Sequence, residues 1–125
     1  MILKPRPFRK PNLGHPFARG LVGCWIMNEG SGNIEDLSGN GNTGALIADT
    51  HWVASEFGPC LSFDGGFDVV NTGHNSIDRN FSLVAWTKTT NAGVSEVFLS
   101  QGPDTTKWWY IASKAGVYNG QFDDA

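Results

Sequence analysis

The sequence predicts an all-β protein made of short antiparallel strands, a sandwich or a barrel. Three observations predict it. Val, Ile, Thr, Phe and Trp recur in short runs, while helix formers are sparse, and branched and aromatic side chains suit a pleated surface. Glycine is common, at 16 of 125 residues, as tight turns require. Turn signals recur at about the 8–12-residue spacing of sandwiches and barrels.

The first run is Leu21 to Met27, read as a strand that stops at Asn28-Glu29-Gly30-Ser31-Gly32. Asp36 to Gly44 is a long turn cluster. Ala45 to Ile47 is a brief strand, and His51-Trp52-Val53 is another candidate. Pro59 to Phe63 reads as a strand running into Gly65-Gly66, with Asp68-Val69-Val70 as its hairpin partner. Phe81 to Lys88 has apolar groups on both faces, which predicts a central, covered strand and places Trp86, like Trp25, in the core. Glu96 to Ser100, closed by Gly102-Pro103, then Lys107 to Ala112 and Gly116 to Tyr118 complete the series. No amphipathic helix of useful length is expected, and residues 74–80 are a candidate for one short turn of helix. No internal repeat is found.

Length fits one domain, and the composition divides it. Residues 1–19 form a basic, proline-rich arm, and residues 20–125 form the β-sandwich domain. The arm holds Lys4, Arg6, Arg9, Lys10 and Arg19 without an acid, and four of the six prolines. Proline at that density favours an extended, solvated segment. The arm reads either as a passive leader or as a docking arm for an acidic surface. The remaining chain carries four bases and 12 acids, so nucleic-acid binding by the folded part is not expected. No apolar run approaches the roughly 20 residues of a membrane span, and no membrane partner is expected. No secretory signal is seen at the amino terminus.

Cys24 and Cys60 form no CxxC pair, which excludes a zinc ribbon. They read as two small buried thiols, with a disulfide between them left open.

Together, Gly20-Leu21-Val22-Gly23-Cys24-Trp25, Asn28 to Gly32 and Asp36-x-Ser38-Gly39-Asn40-Gly41-Asn42-x-Gly44 resemble the opening of a laminin G-like domain. The likeness continues through Phe57-Gly58, Leu61 to Gly65, Asp68 to Val70, Phe81 to Trp86, Trp108 and Tyr110. Such domains belong to the concanavalin A-like lectin/glucanase superfamily. The resemblance implies an antiparallel two-sheet jelly-roll sandwich. It also implies a carbohydrate-binding or adhesion role, often with calcium, in secreted, cell-surface or phage structural proteins. An extracellular, cell-surface or virion-associated setting follows from it. Cys24 and Cys60 depart from the family's usual aromatic and small residues. Family domains also run on through further strands, so the sandwich is expected to be incomplete: a fragment, a truncated reading frame, or a module completed by a partner through open sheet edges or the basic arm. That partner is a glycan, a surface protein or another chain in a homo- or hetero-oligomer.

Asp36, Ser38 and Asn40 alternate and Gly41 follows, as in the first half of an oxygen-rich calcium loop. Ile47 stands where an EF-hand has its bidentate Glu, so a second carboxylate, Asp64 or Asp68, would be needed. The metal candidates are therefore Asp36, Ser38, Asn40 and Asp64, with calcium as the ion. A hydrogen-bonded turn without an ion is the other reading. Gly39 to Gly44 spells G-x-G-x-x-G, but no helix follows and no βαβ unit exists, so a dinucleotide site is rejected.

Trp108, Trp109 and Tyr110 are the candidate sugar-binding residues. A flat aromatic face stacks on the C–H face of a pyranose, and indole N–H donates to hydroxyls. Aromatic side chains also supply much buried area, so part of this run serves the core. Catalytic residues are not expected. Glycoside hydrolysis needs two facing carboxyls, and the alternating acids that related glucanases carry on one strand are missing. A truncated hydrolase relative remains a minor alternative. His15, His51 and His74 have no zinc-site spacing, and the Asn80-Phe81-Ser82 sequon is read as accidental.

Overall fold

The computed structural model describes residues 10–74, 81–89, 95–104, 107–114 and 117–123, with side chains through residue 74 and at 81–89, and chiefly backbone in the later strands. Seven strands are present: β1 Ala45–Ile47, β2 His51–Ser55, β3 Gly58–Ser62, β4 Val69–Asn71, β5 Ser95–Asp104, β6 Lys107–Lys114 and β7 Val117–Asp123. All pairings are antiparallel. Among the described residues, the only helical element is a 3-10 turn, Pro16–Ala18. The chain is therefore all-β among the described residues. Its contacts gather into two compact units, Met1–His74 and Asn75–Ala125, with the boundary inside the expected 20–125 domain.

In the first unit, β2 and β3 form a hairpin around Glu56-Phe57, with Val53 opposite Cys60. Gly58 sits at φ +102 just after the reversal, a conformation that glycine reaches without a Cβ clash. The Ser55 hydroxyl donates to the Gly58 carbonyl at 2.6 Å and accepts the Phe57 N–H. The hairpin expected at Gly65-Gly66 is not formed. β4 instead pairs with β1, Leu46 opposite Val70. Asp68 accounts for this. Its carboxylate accepts the N–H of Asp64 at 2.8 Å and the N–H of Asp49 at 2.8 Å, tying the loop after β3 to the turn after β1. The chain is thereby drawn across to β1 rather than folded back on β3.

The one buried hydrophobic residue among those described is Ile34. It exchanges backbone hydrogen bonds with Gly44 at 2.9 and 2.8 Å. A Cβ on Gly44 would lie 2.5 Å from Val70 Cγ1 and 3.5 Å from Ile34 Cβ. The absent side chain at 44 is what lets β4 and the Ile34 segment close on the start of β1.

Two expected strands are not in any ladder. Leu21 to Met27 is held by side chains, as described below. Residues 81–89 lie outside all seven strands, and Val84 and Trp86 are 71% and 79% exposed. Trp86 is therefore not a core residue. Apolar groups on both faces are buried only where a layer packs on each face, and Val84 and Trp86 are left open. Trp25, by contrast, is half-buried.

The proline-rich arm is not extended throughout. Pro16 starts the 3-10 turn, its fixed φ suiting a first helical position. His15 caps the turn by accepting the Phe17 N–H at 3.2 Å. The short helix considered for residues 74–80 falls almost wholly outside the described residues.

In the second unit, β6 is the middle strand of the β5-β6-β7 sheet. β5 runs through Gly102-Pro103 instead of stopping there. The register passes from Gln101↔Trp109 to Asp104↔Lys107, so an irregularity absorbs the extra residue at the point where proline has no N–H for the ladder.

Candidate functional site

The residues that the sequence singles out as oxygen ligands, Asp36, Ser38 and Asn40, form a clasp around the backbone of Leu21 to Cys24. Asp36 is its anchor, 8% exposed. Its Oδ1 accepts the N–H groups of Cys24 at 3.0 Å and Ser38 at 2.9 Å. Its Oδ2 accepts the Asn42 N–H at 2.9 Å and faces the Ser38 hydroxyl at 2.9 Å. Ser38 Oγ also lies 3.2 Å from the Val22 carbonyl. With one proton to give, the hydroxyl favours the charged partner.

Asn40 and Asn42 complete the grip. Asn40 Nδ2 donates to the carbonyls of Leu21 at 2.8 Å and Val22 at 3.1 Å, and Asn42 Nδ2 donates to Val22 at 3.0 Å. The Leu37 N–H donates to the Cys24 carbonyl at 2.8 Å. The Leu21, Val22 and Cys24 carbonyls and the Cys24 N–H thus find partners without a neighbouring strand. Trp25 locks the far side, its indole N–H donating to the Asn42 carbonyl at 2.7 Å, with the ring packed over Gly23. Gly39 and Gly41, at φ +90 and +79, bend the loop so that alternate side chains point inward.

The electrostatics follow. Burial pushes the Asp36 carboxyl up, but the Ser38 hydroxyl and the N–H groups of Ser38, Asn42 and Cys24 outweigh it and hold the group below its ordinary value. The Cys24 thiol is pushed up, by burial first and by the Asp36 charge second. Cys24 and Cys60 are both free and half-buried.

This geometry bears on the calcium expectation. Both Asp36 oxygens are engaged by protein donors, and Asn40 turns its amide nitrogen, not its oxygen, into the loop. A cation here would have to displace those donors. Asp64 Oδ1 accepts the Gly66 N–H at 2.7 Å. Among the described residues, no three His, Cys, Asp or Glu side chains gather as a metal-holding group. As it stands, the donor set fits backbone N–H groups rather than an ion, and Asp36 acts as a structural anion.

Two roles are not legible from spacing alone. Asn42 continues the alternation of Asp36, Ser38 and Asn40, and that continuation was its signal. Asp68 was weighed as an ion ligand but serves as a bridge between two loops.

The candidate sugar-binding residues lie on β6. Trp109 is opposite Gln101 of β5 and Phe122 of β7. Tyr110 is opposite Ser100 and Gln121, and Trp108 is opposite Asp123.

Compared with known proteins, the sequence matches no family model and no curated protein, and the fold matches no solved structure.

Proposed function

We propose that the chain is a non-catalytic binding module that takes carbohydrate, with its sugar platform drawn from Trp108, Trp109 and Tyr110, of which Trp108 and Tyr110 share one face of β6 and Trp109 takes the other. The observation that carries the reading is the placement of these three residues on β6, held by a neighbour strand on either side. Binding groups on a central strand are positioned more rigidly than groups on a loop. Ser100, Gln101, Gln121 and Asp123 occupy the register positions beside them, and these residue types hydrogen-bond sugar hydroxyls. The laminin G-like plan, a two-sheet jelly roll, belongs to the same proposal and rests on the sequence motifs; calcium assistance, where the module has it, needs an ion site outside the Asp36 clasp.

A glycan array probed with the whole chain, in calcium and then in EDTA, tests it. Binding to one glycan class, weakened by Trp108→Ala, Trp109→Ala or Tyr110→Ala, is the expected result. Loss of that binding in EDTA would support the calcium part. A folded chain that binds no glycan class sinks the reading.

A second reading, a structural or assembly module, is favoured by the open edges of β5 and β7, each paired on one side only among the described residues. Sedimentation of the whole chain and of a form lacking residues 1–19 discriminates. A monomer in both cases argues against assembly.

A further inference from the structure

We propose that Asn40-Gly41 is a self-modification site, at which loss of the Asn40 amide releases the clasp on Leu21 to Cys24. The nucleophile is the Gly41 backbone nitrogen. Its N–H donates to nothing among the described residues. Nothing lies within 4 Å of the position a Cβ would take at Gly41, and φ is +79. Gly41 carries no Cβ to crowd the approach of its own nitrogen to the preceding side chain. Asn40 itself is exposed.

The step balances without an oxidant or reductant. Gly41 N loses its proton to solvent base and attacks Asn40 Cγ. A C–N bond forms and closes a cyclic imide, the Cγ–Nδ2 bond breaks, and the nitrogen leaves as ammonia after taking up a proton. Water then adds to either imide carbonyl, giving aspartate or isoaspartate at position 40. The net reaction is hydrolysis of one amide.

The consequence lies in the clasp. Asn40 Nδ2 is the donor to the Leu21 and Val22 carbonyls and is also 3.0 Å from Ser38 Oγ. Its replacement by a carboxylate puts acceptor against acceptor at both carbonyls, and isoaspartate further lengthens the backbone of the loop. Either product lets go of residues 21 and 22. While the clasp is closed, these hydrogen bonds fix the Asn40 amide on Leu21 and Val22, so the attack needs the clasp to open. The chain holds one other Asn-Gly pair, Asn119-Gly120. It lies inside β7, paired with Ala112 and Ile111, and the ladder keeps that backbone extended.

The test is ageing of the whole chain in mildly alkaline buffer, followed by proteolysis and fragmentation mass spectrometry. A gain of one mass unit is expected at Asn40, split into aspartate and isoaspartate forms, several-fold ahead of Asn42 and Asn119. Ser38→Ala, which removes a partner of the Asn40 amide, should advance it further, and the aged fraction should melt lower than fresh protein. An Asn40 that gains mass no faster than Asn42, which precedes Thr43, overturns the site without recourse to any variant. A folded Ser38→Ala chain with an unchanged rate overturns the gating by the clasp.

Discussion

The Asp36 carboxylate accepts the backbone N–H of Cys24 at 3.0 Å, while the N–H of the next residue, Leu37, returns to the Cys24 carbonyl at 2.8 Å. Two segments are thus joined by one charged and one neutral hydrogen bond, as a ladder would join them, although neither is a strand. Removing the carboxylate leaves the N–H groups of Cys24, Ser38 and Asn42 without their acceptor. Hydrogen bonds to a charged group are the stronger kind, and orphaned donors add their desolvation cost. Asp36→Ala should therefore cost about 2–4 kcal/mol in urea unfolding, at the high end for a single substitution. A loss within experimental error would show that the clasp does not hold the fold.

Acid should act through the same group. The Asp36 carboxyl is held below its ordinary value, so the folded state favours its charged form. Its contribution is full above the ordinary carboxylate range and is lost as pH falls through the folded value, because protonation then removes the acceptor. Thermal melts followed by circular dichroism should decline on the acid side of that range. The part of the decline due to Asp36 should be missing in Asp36→Asn, at the cost of lower stability at neutral pH.

The strands were legible to different degrees, and the reason is locality. Ala45–Ile47, His51–Ser55 and Lys107–Lys114 announce themselves by branched and aromatic runs between turn residues. Leu21 to Met27 and Phe81 to Lys88 carry the same signal and form no ladder, because a run of side chains says that a segment is extended and not what pairs with it. The pairing of β4 with β1 was hidden for a related reason. It depends on Asp68 reaching two N–H groups, one of them 19 positions away in sequence, and no composition records that. At the clasp, alternation along Asp36, Ser38 and Asn40 was readable as a loop with converging polar groups. Whether those groups converge on an ion or on backbone depends on which amide atom Asn40 turns inward, and spacing is silent about that.

Cys24 offers a probe of the clasp that needs no unfolding. Its thiol is pushed up by burial and by the neighbouring Asp36 charge, and the thiolate is the form that alkylates. In a Cys60→Ser background, iodoacetamide should modify Cys24 more slowly at neutral pH than it modifies an unhindered thiol, with the rate rising only at higher pH. Asp36→Asn removes the repelling charge and should move the pH profile of the reaction back toward neutrality. A profile that does not shift in that variant would mean that Asp36 does not face the thiol.

Gly44 gives the sharpest test of packing. A Cβ at 44 would stand 2.5 Å from Val70 Cγ1, well inside contact, and that methyl belongs to a β4 residue paired with Leu46. The backbone at 44 cannot retreat, since its N–H and C=O are both bonded to Ile34. Gly44→Ala should thus destabilise by about 1–3 kcal/mol, the usual cost of overpacking. Val70→Ala removes the methyl that clashes, so the double variant should recover part of the loss, with a coupling of about 0.5–3 kcal/mol for residues in contact. Denaturant midpoints of the four proteins in this cycle supply the measurement. Strict additivity would mean that β4 does not lie against Gly44, and the β1–β4 pairing would fall with it.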